Sequence, residues 1–306
     1  MANPARLNVP ANVMSKRLNI APMKKYFVLY LLSFIWFCGF AQQKPAYVLY
    51  TSKGKKASHK QMMKMLAKQD IVLFGEFHNN PISHWLQLVV TKELHAQRQL
   101  VLAAEMFEQD NQEGLNKYLA SDAKVTKPDS TVRLWPNYKT DYAPLVNFAK
   151  ENKLPFVASN IPRRYASMVS KGGFEALETL TPAEKAWIAP LPIAYDSTLP
   201  GYVKMVEMMG GHGGSNMPKA QASKDATMAY FSLKAWQPGK LLIHYNGSFH
   251  SDNFDGINWY LKKANPSLKI GTISTVSQKD ISKLDKENLG KADFIICVDE
   301  EMTTTY

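Results

Sequence analysis

Residues 71–74 form an unbroken apolar run, Ile-Val-Leu-Phe, that stops at Gly75 and passes at once into Glu76 and His78. A run this short, rich in β-branched and aromatic residues, reads as a strand buried on both faces of a parallel sheet. A chain with such a strand has to lay helices over both sides of the sheet, because neither face of the strand can be left in water. The polar residues that follow mark the strand's carboxyl end. Ligands of open α/β sheets bind outside those ends, which makes Glu76 and His78 candidates for chemistry. Asn79, Asn80 and Pro81 then turn the chain into a helix expected from about Ser83, with Trp85, Leu88, Val89 and Leu94 at helical spacing.

The same alternation runs through the rest of the chain. Further strands are expected at residues 47–49, 100–104, 155–158, 240–245 and 269–276 and near Phe294. Helical patterns occupy residues 60–68, 110–120, 144–150, 165–180 with a break at Gly172 and Gly173, 182–187, 220–235 and 256–264. Strands alternating with helices predict an α/β fold with a largely parallel central sheet flanked by helices. A smaller helical insertion is expected at about residues 165–235 of a single domain spanning 42–306. Within it, residues 191–218 are rich in Pro, Gly and Met and are expected to form a mobile insertion or lid.

Four of these strands end in polar residues: Glu76 with His78, Glu105, Asn160 with Arg163, and His250. In a parallel sheet these ends meet on one rim. Two of the turns share a pattern, Gly75-Glu-Phe-His78 and Gly247-Ser-Phe-His250, in which the glycine lets the backbone leave the sheet sharply and aim an imidazole across its top. Glu76, His78, Glu105, Arg163 and His250 are therefore the candidate catalytic set. His78, Glu105 and His250 offer the donor types of a divalent zinc or manganese site, or of an acid/base pair. Glu105 lies between Ala104 and Met106, where an unpaired carboxylate is costly, and Arg163 is its expected partner. A purely structural ion pair is the alternative reading of those two. His84 is expected to face the same rim from its helix, whereas His59, His95 and His244 read as structural. No phosphate-binding glycine loop, nucleophile elbow or HExxH sequence is present.

The formal net charge of +11 suggests a nucleic-acid ligand, but Arg6, Lys16, Arg17, Lys24 and Lys25 stand in a first 41 residues without acids, and without them the charge is +6. The other cations are scattered rather than gathered into an Arg-rich, aromatic-interleaved patch, so nucleic acid is not an expected partner. Met23, Lys24 and Lys25 open a basic segment followed by an apolar run at residues 26–37 and by Gly39 and Ala41. That is the plan of a secretory signal peptide at residues 23–41, with cleavage after Ala41 and residues 1–22 as a non-native or disordered extension. Export to the periplasm or envelope is the expected localisation. Trp36 and Phe37 before Cys38 do not make a small-residue lipobox, so no lipid anchor is expected there. Cleavage leaves Cys297 as the single cysteine, within an apolar strand-like run, so the fold is held by its core rather than by a disulfide.

The segments LFGEFHNNPISHWLQL, LAAEMFEQDNQ, FAKENKLPFVASNIPRRYASMVSKGG, KDATMAY and YNGSFHSDNFDG resemble, in order, the ChaN-like branch of the Tiki, TraB and erythromycin esterase superfamily. The resemblance runs from Ile71 to Leu261. It implies an envelope protein of iron uptake that binds haem at a homodimer interface and works with an outer-membrane uptake receptor. It also implies an alternative, a metal-dependent hydrolase, because the wider superfamily includes proteases and esterases that use the positions of His78, Glu105 and His250. No haem-ligating signature lies inside the matching stretches, and His212, among the methionines of the Gly-rich loop, is the candidate haem ligand outside them.

Overall fold

The computed structural model describes residues 45–208, 210 and 216–306. The expected N-terminal extension and signal peptide, Cys38 and the candidate ligand His212 all lie outside the described residues. The chain opens with β1 (Tyr47–Thr51), α1 (His59–Leu66), β2 (Ile71–Glu76), α2 (Pro81–His95), β3 (Leu100–Glu108) and α3 (Gln112–Ala120). It continues through α4 (Ala143–Glu151), β4 (Phe156–Asn160), α5 (Arg163–Gly172), the one-turn α6 (Pro182–Lys185), α7 (Pro200–Met208) and α8 (Met217–Ala235). The last elements are β5 (Leu241–Gly247), α9 (Ile257–Ala264), β6 (Ile270–Gln278) and β7 (Phe294–Asp299).

The seven strands form one sheet in the order β1-β7-β6-β2-β5-β3-β4. Every pairing is parallel except that of β1 with β7. The adjacent strands β2, β5 and β3 carry candidate residues at or beyond their carboxyl ends. Side chains alternate between the two faces, as the strand period requires. Val72 and Phe74 of β2, Leu102, Ala104 and Met106 of β3, and Ile243 and Tyr245 of β5 pack against α1–α4. Ile71 and Leu73, Val101 and Ala103, and Leu242 pack against α5, α8 and α9 on the other face. Burial of each large side chain contributes roughly 1.5–3 kcal/mol, and Cys297, buried in β7, is a free thiol.

Three boundaries differ from the sequence expectation for local reasons. Helix α2 starts at Pro81 rather than near Ser83, because the Asn80 side chain accepts from Ser83 N and proline is at ease in a first turn. Strand β3 runs past Glu105 to Glu108, with a register shift against β4 between Ala104 and Glu108, so Glu105 projects from the strand itself. The expected lid is partly a helix, α7, held to the body where Gly201 N donates to Asp255 Oδ2 at 3.0 Å and Tyr202 OH to Asp225 Oδ2 at 2.9 Å.

Candidate functional site

Alternation along the strands already decides where the two carboxylates point. Glu76 continues the Val72 and Phe74 face and meets α2 and the turn that leads into α4, whereas Glu105, flanked by Ala104 and Met106, faces α8. Each is buried, and each is satisfied by its own set of partners.

Glu76 is the hub of one set. Its Oε1 accepts from His78 Nδ1 at 2.9 Å and from Tyr142 OH at 2.8 Å, and its Oε2 accepts from Gln87 Nε2. His84 Nδ1 stands 3.6 Å from Oε2, while its Nε2 donates to His78 O at 3.1 Å. Asn137 Nδ2 also donates to His78 O at 2.8 Å, and the Trp135 ring meets the His78 ring edge to face at 4.9 Å. The His78 imidazole is thus fixed through Nδ1, and it is the exposed member of the site, with 34% of its side chain accessible. Burial would lower its pKa, but the Glu76 hydrogen bond and the charge of Glu105 outweigh that and raise it.

The second set is centred on His250. Its Nε2 lies 3.2 Å from Glu105 Oε1 and its Nδ1 2.5 Å from Asp225 Oδ1, so both ring nitrogens face carboxylates and both donate. An imidazole held in this way is a cation: burial lowers its pKa, yet the charges of Glu105 and Asp225 bring it up to about 9. Glu105 responds in the opposite direction. Burial would raise it, but the charge and hydrogen bond of His250, the charge of His78 and the Gly247 N–H, which donates to Oε2 at 2.7 Å, hold it well below the usual carboxylate range. Burial wins at Asp225, which stays raised despite His250.

The paired glycines serve close approach rather than a left-handed turn. Gly247 has φ −56°, which any residue can adopt. A Cβ on Gly247 would stand 2.9 Å from His78 Nε2, and one on Gly75 would stand 2.9 Å from both Ser248 Cα and Ile273 O. The two turns pack on each other, and that contact brings His78 toward Glu105.

Glu76, His78, Glu105 and His250 therefore converge, but Arg163 does not join Glu105. Arg163 is exposed at the start of α5 and makes no ion pair among the described residues, and the partner of Glu105 is His250. The expected zinc or manganese centre finds no support among the described residues. No group of three His, Cys, Asp or Glu among the described residues is arranged to hold a metal ion. The donors are already engaged: Glu76 takes His78 Nδ1, and both nitrogens of His250 and both oxygens of Glu105 have protein partners. His244 lies inside β5, with Nε2 2.8 Å from Ser159 Oγ, and burial lowers its pKa to about 4, so it is a neutral structural imidazole.

Sequence reasoning missed Asp225, Tyr142, Gln87 and Asn137. Asp225 had one readable signal, a lone acid among the small and apolar residues of α8, most of which are buried. Beside both sets opens a cavity of about 500 Å³, reached by His78, Glu105 and Asn160 and walled by Met106, Leu134 and Trp135.

The family model for haem-binding uptake, Tiki superfamily, ChaN matches residues 62–261. Among solved structures, the fold is similar to that of ChaN of Campylobacter jejuni, described with cofacial haem binding, at a TM-score of 0.60 and 20% identity, covering 83% of this chain and 98% of that chain. A Bacillus cereus protein is similar at a TM-score of 0.48 and 11% identity, over 82% of this chain and 94% of that one. An erythromycin esterase variant in its open conformation gives 0.47 and 11%, over 82% and 97%. No curated protein matches the chain. At 20% identity the Campylobacter jejuni structure speaks for the fold alone, whereas the family model covers most of the chain. The chain belongs to the ChaN family of haem-binding uptake proteins in the Tiki superfamily.

Proposed function

We propose that this protein binds haem in the service of iron uptake, as an exported homodimer that hands its cargo to or from an outer-membrane receptor. The observation that carries the reading is the family match over residues 62–261. The cavity fits the group. Its volume, about 500 Å³, lies in the range of ligand pockets, and Trp135, Leu134, Pro136, Met106 and Ile161 supply an apolar wall suited to a porphyrin. His78, tied back by Glu76 through Nδ1, has Nε2 left as a donor toward an iron, the arrangement that orients an imidazole for ligation. Haem brings the iron chemistry, and the chain supplies the shape and the oriented imidazole.

Hemin titrated into the purified protein is expected to give a shifted Soret band that saturates at a fixed stoichiometry per chain. A spectrum that stays that of free hemin would remove the haem reading. Fractionation of the producing cell tests export, and sedimentation with and without hemin tests the dimer.

A second reading, acid/base catalysis of hydrolysis without a bound metal, is favoured by the Glu76–His78 pair at a cavity. The buried carboxylate holds the imidazole in one tautomer, so Nε2 is free to take a proton from water. Glu76→Gln is then expected to lower the pKa of His78, measured by NMR on its ring proton, and to move the midpoint of the pH–rate profile for ester cleavage by the same amount. Absence of ester cleavage at every pH removes this reading and leaves haem binding untouched.

A further inference from the structure

Asn160, at the end of β4, is 8% exposed and lines the cavity. Its Nδ2 donates to Glu105 O at 3.0 Å, which fixes the amide, and its Oδ1 is left buried with no hydrogen-bond partner. An orphaned buried acceptor bears the full loss of hydration, and a ligand that donates to it recovers that loss.

The next residues supply positive charge. Helix α5, ten residues long, begins at Arg163 with Pro162 as its N-cap, no side chain capping its first N–H groups and no acid in its first turn. Such an end carries the positive pole of the helix and accepts an anion. Arg163 and Lys224 of α8 both line the cavity. The carboxylates nearby are already spoken for: Glu105 by His250 and the Gly247 N–H, Glu108 by Arg133 at 2.8 Å, and Asp225 by His250 and Tyr202. Arg163 and Lys224 have no carboxylate within ion-pair distance among the described residues, and Arg133 spends its charge on Glu108 and Asp110.

From the unpartnered Asn160 carbonyl, the uncapped start of α5 and the two unspent cations, we infer that this side of the cavity binds a small oxyanion that also carries an O–H or N–H donor. A hydroxy acid and a monoprotonated phosphate ester share that chemistry. The inference goes beyond haem, whose ionised carboxylates would satisfy the cations but offer Asn160 no donor.

The test is calorimetric titration of the full chain with three probes: glycolate, hydrogen phosphate and acetate. Their binding is read without metal or porphyrin, so it stands or falls separately from the hemin result. Glycolate, phosphate or both should bind at least about tenfold more tightly than acetate, the factor that one hydrogen bond to a buried acceptor supplies. Which of the two binds more tightly names the source of the oxyanion. Arg163→Gln and Lys224→Gln should each weaken that binding about tenfold, whereas Arg133→Gln should change it less than about twofold. Asn160→Leu should erase the preference over acetate while acetate binding persists. Equal binding of all three probes, no saturation at millimolar concentrations, or indifference to the exposed Arg163→Gln change would each overturn the inference.

Discussion

His250→Ala is expected to lower the stability of the protein by about 3–5 kcal/mol, the cost of breaking a buried ion pair from one side. The ring lies between Glu105 and Asp225, and its removal leaves two buried carboxylates facing an empty space. For a domain of this size the melting temperature should fall by roughly 6–20 °C. The pH dependence carries the same signature. The pKa of His250 is raised in the fold from 6.5 to about 9, so its contribution is complete below 6.5 and is lost as the pH rises through 9. Glu105 is lowered from 4.5, so its contribution is present above that value and is lost as the pH falls through its depressed one. Asp225, raised by burial, acts in the same sense as His250 and against Glu105: it favours the acid side. The gap between native and variant proteins should therefore be widest between 4.5 and 6.5 and should narrow toward pH 9 and above. Urea denaturation across that range decides it: a loss below about 1 kcal/mol at pH 6 would mean that the triad is solvated and that its charges are not coupled as the geometry requires.

Gly75→Ala and Gly247→Ala are expected to part company, although they alter matching positions of two matching turns. At Gly75 the new methyl would stand 2.9 Å from Ile273 O, in β6, and 2.9 Å from Ser248 Cα, in the turn that follows β5, both of them backbone atoms. Neither can yield without shifting β6 or the buried turn after β5, so the expected loss is about 1–3 kcal/mol. At Gly247 the nearest atoms are His78 Nε2 at 2.9 Å and Cε1 at 3.0 Å, the far end of a partly exposed ring. That ring can swing away at a cost below about 1 kcal/mol, but the swing breaks its alignment with Glu76. Gly247→Ala should thus melt close to the native protein while the pKa of His78 loses its elevation and the hemin spectrum changes. Urea curves and the His78 ring-proton titration on both variants give the answer. Equal destabilisation, or an unmoved His78 titration in Gly247→Ala, would contradict the packing of one turn on the other.

The sequence by itself determined the class of fold and the rim. The apolar run at residues 71–74, its counterparts in β3 and β5, and the helical spacing between them are local patterns, and burial makes such patterns readable along the chain. It also determined that Glu76, His78, Glu105 and His250 share one edge, because parallel strands place their carboxyl ends together. In the structure, alternation along β3 turns Glu105 away from the face of Ala104 and Met106. What lies opposite was not legible. Whether Glu105 meets Arg163 or His250 depends on how α8 crosses the sheet and on how far the turn after Gly247 folds back, and both follow from long-range packing rather than from neighbours in the chain. Tertiary structure alone decided that Asp225 is the other partner of His250 and that Tyr142 and Gln87 close around Glu76. It also showed that most of an apparent set of metal donors is engaged within two clusters, with His78 Nε2 left over. A carboxylate or imidazole has the same identity whether free or engaged, and only the positions of its neighbours determine which it is.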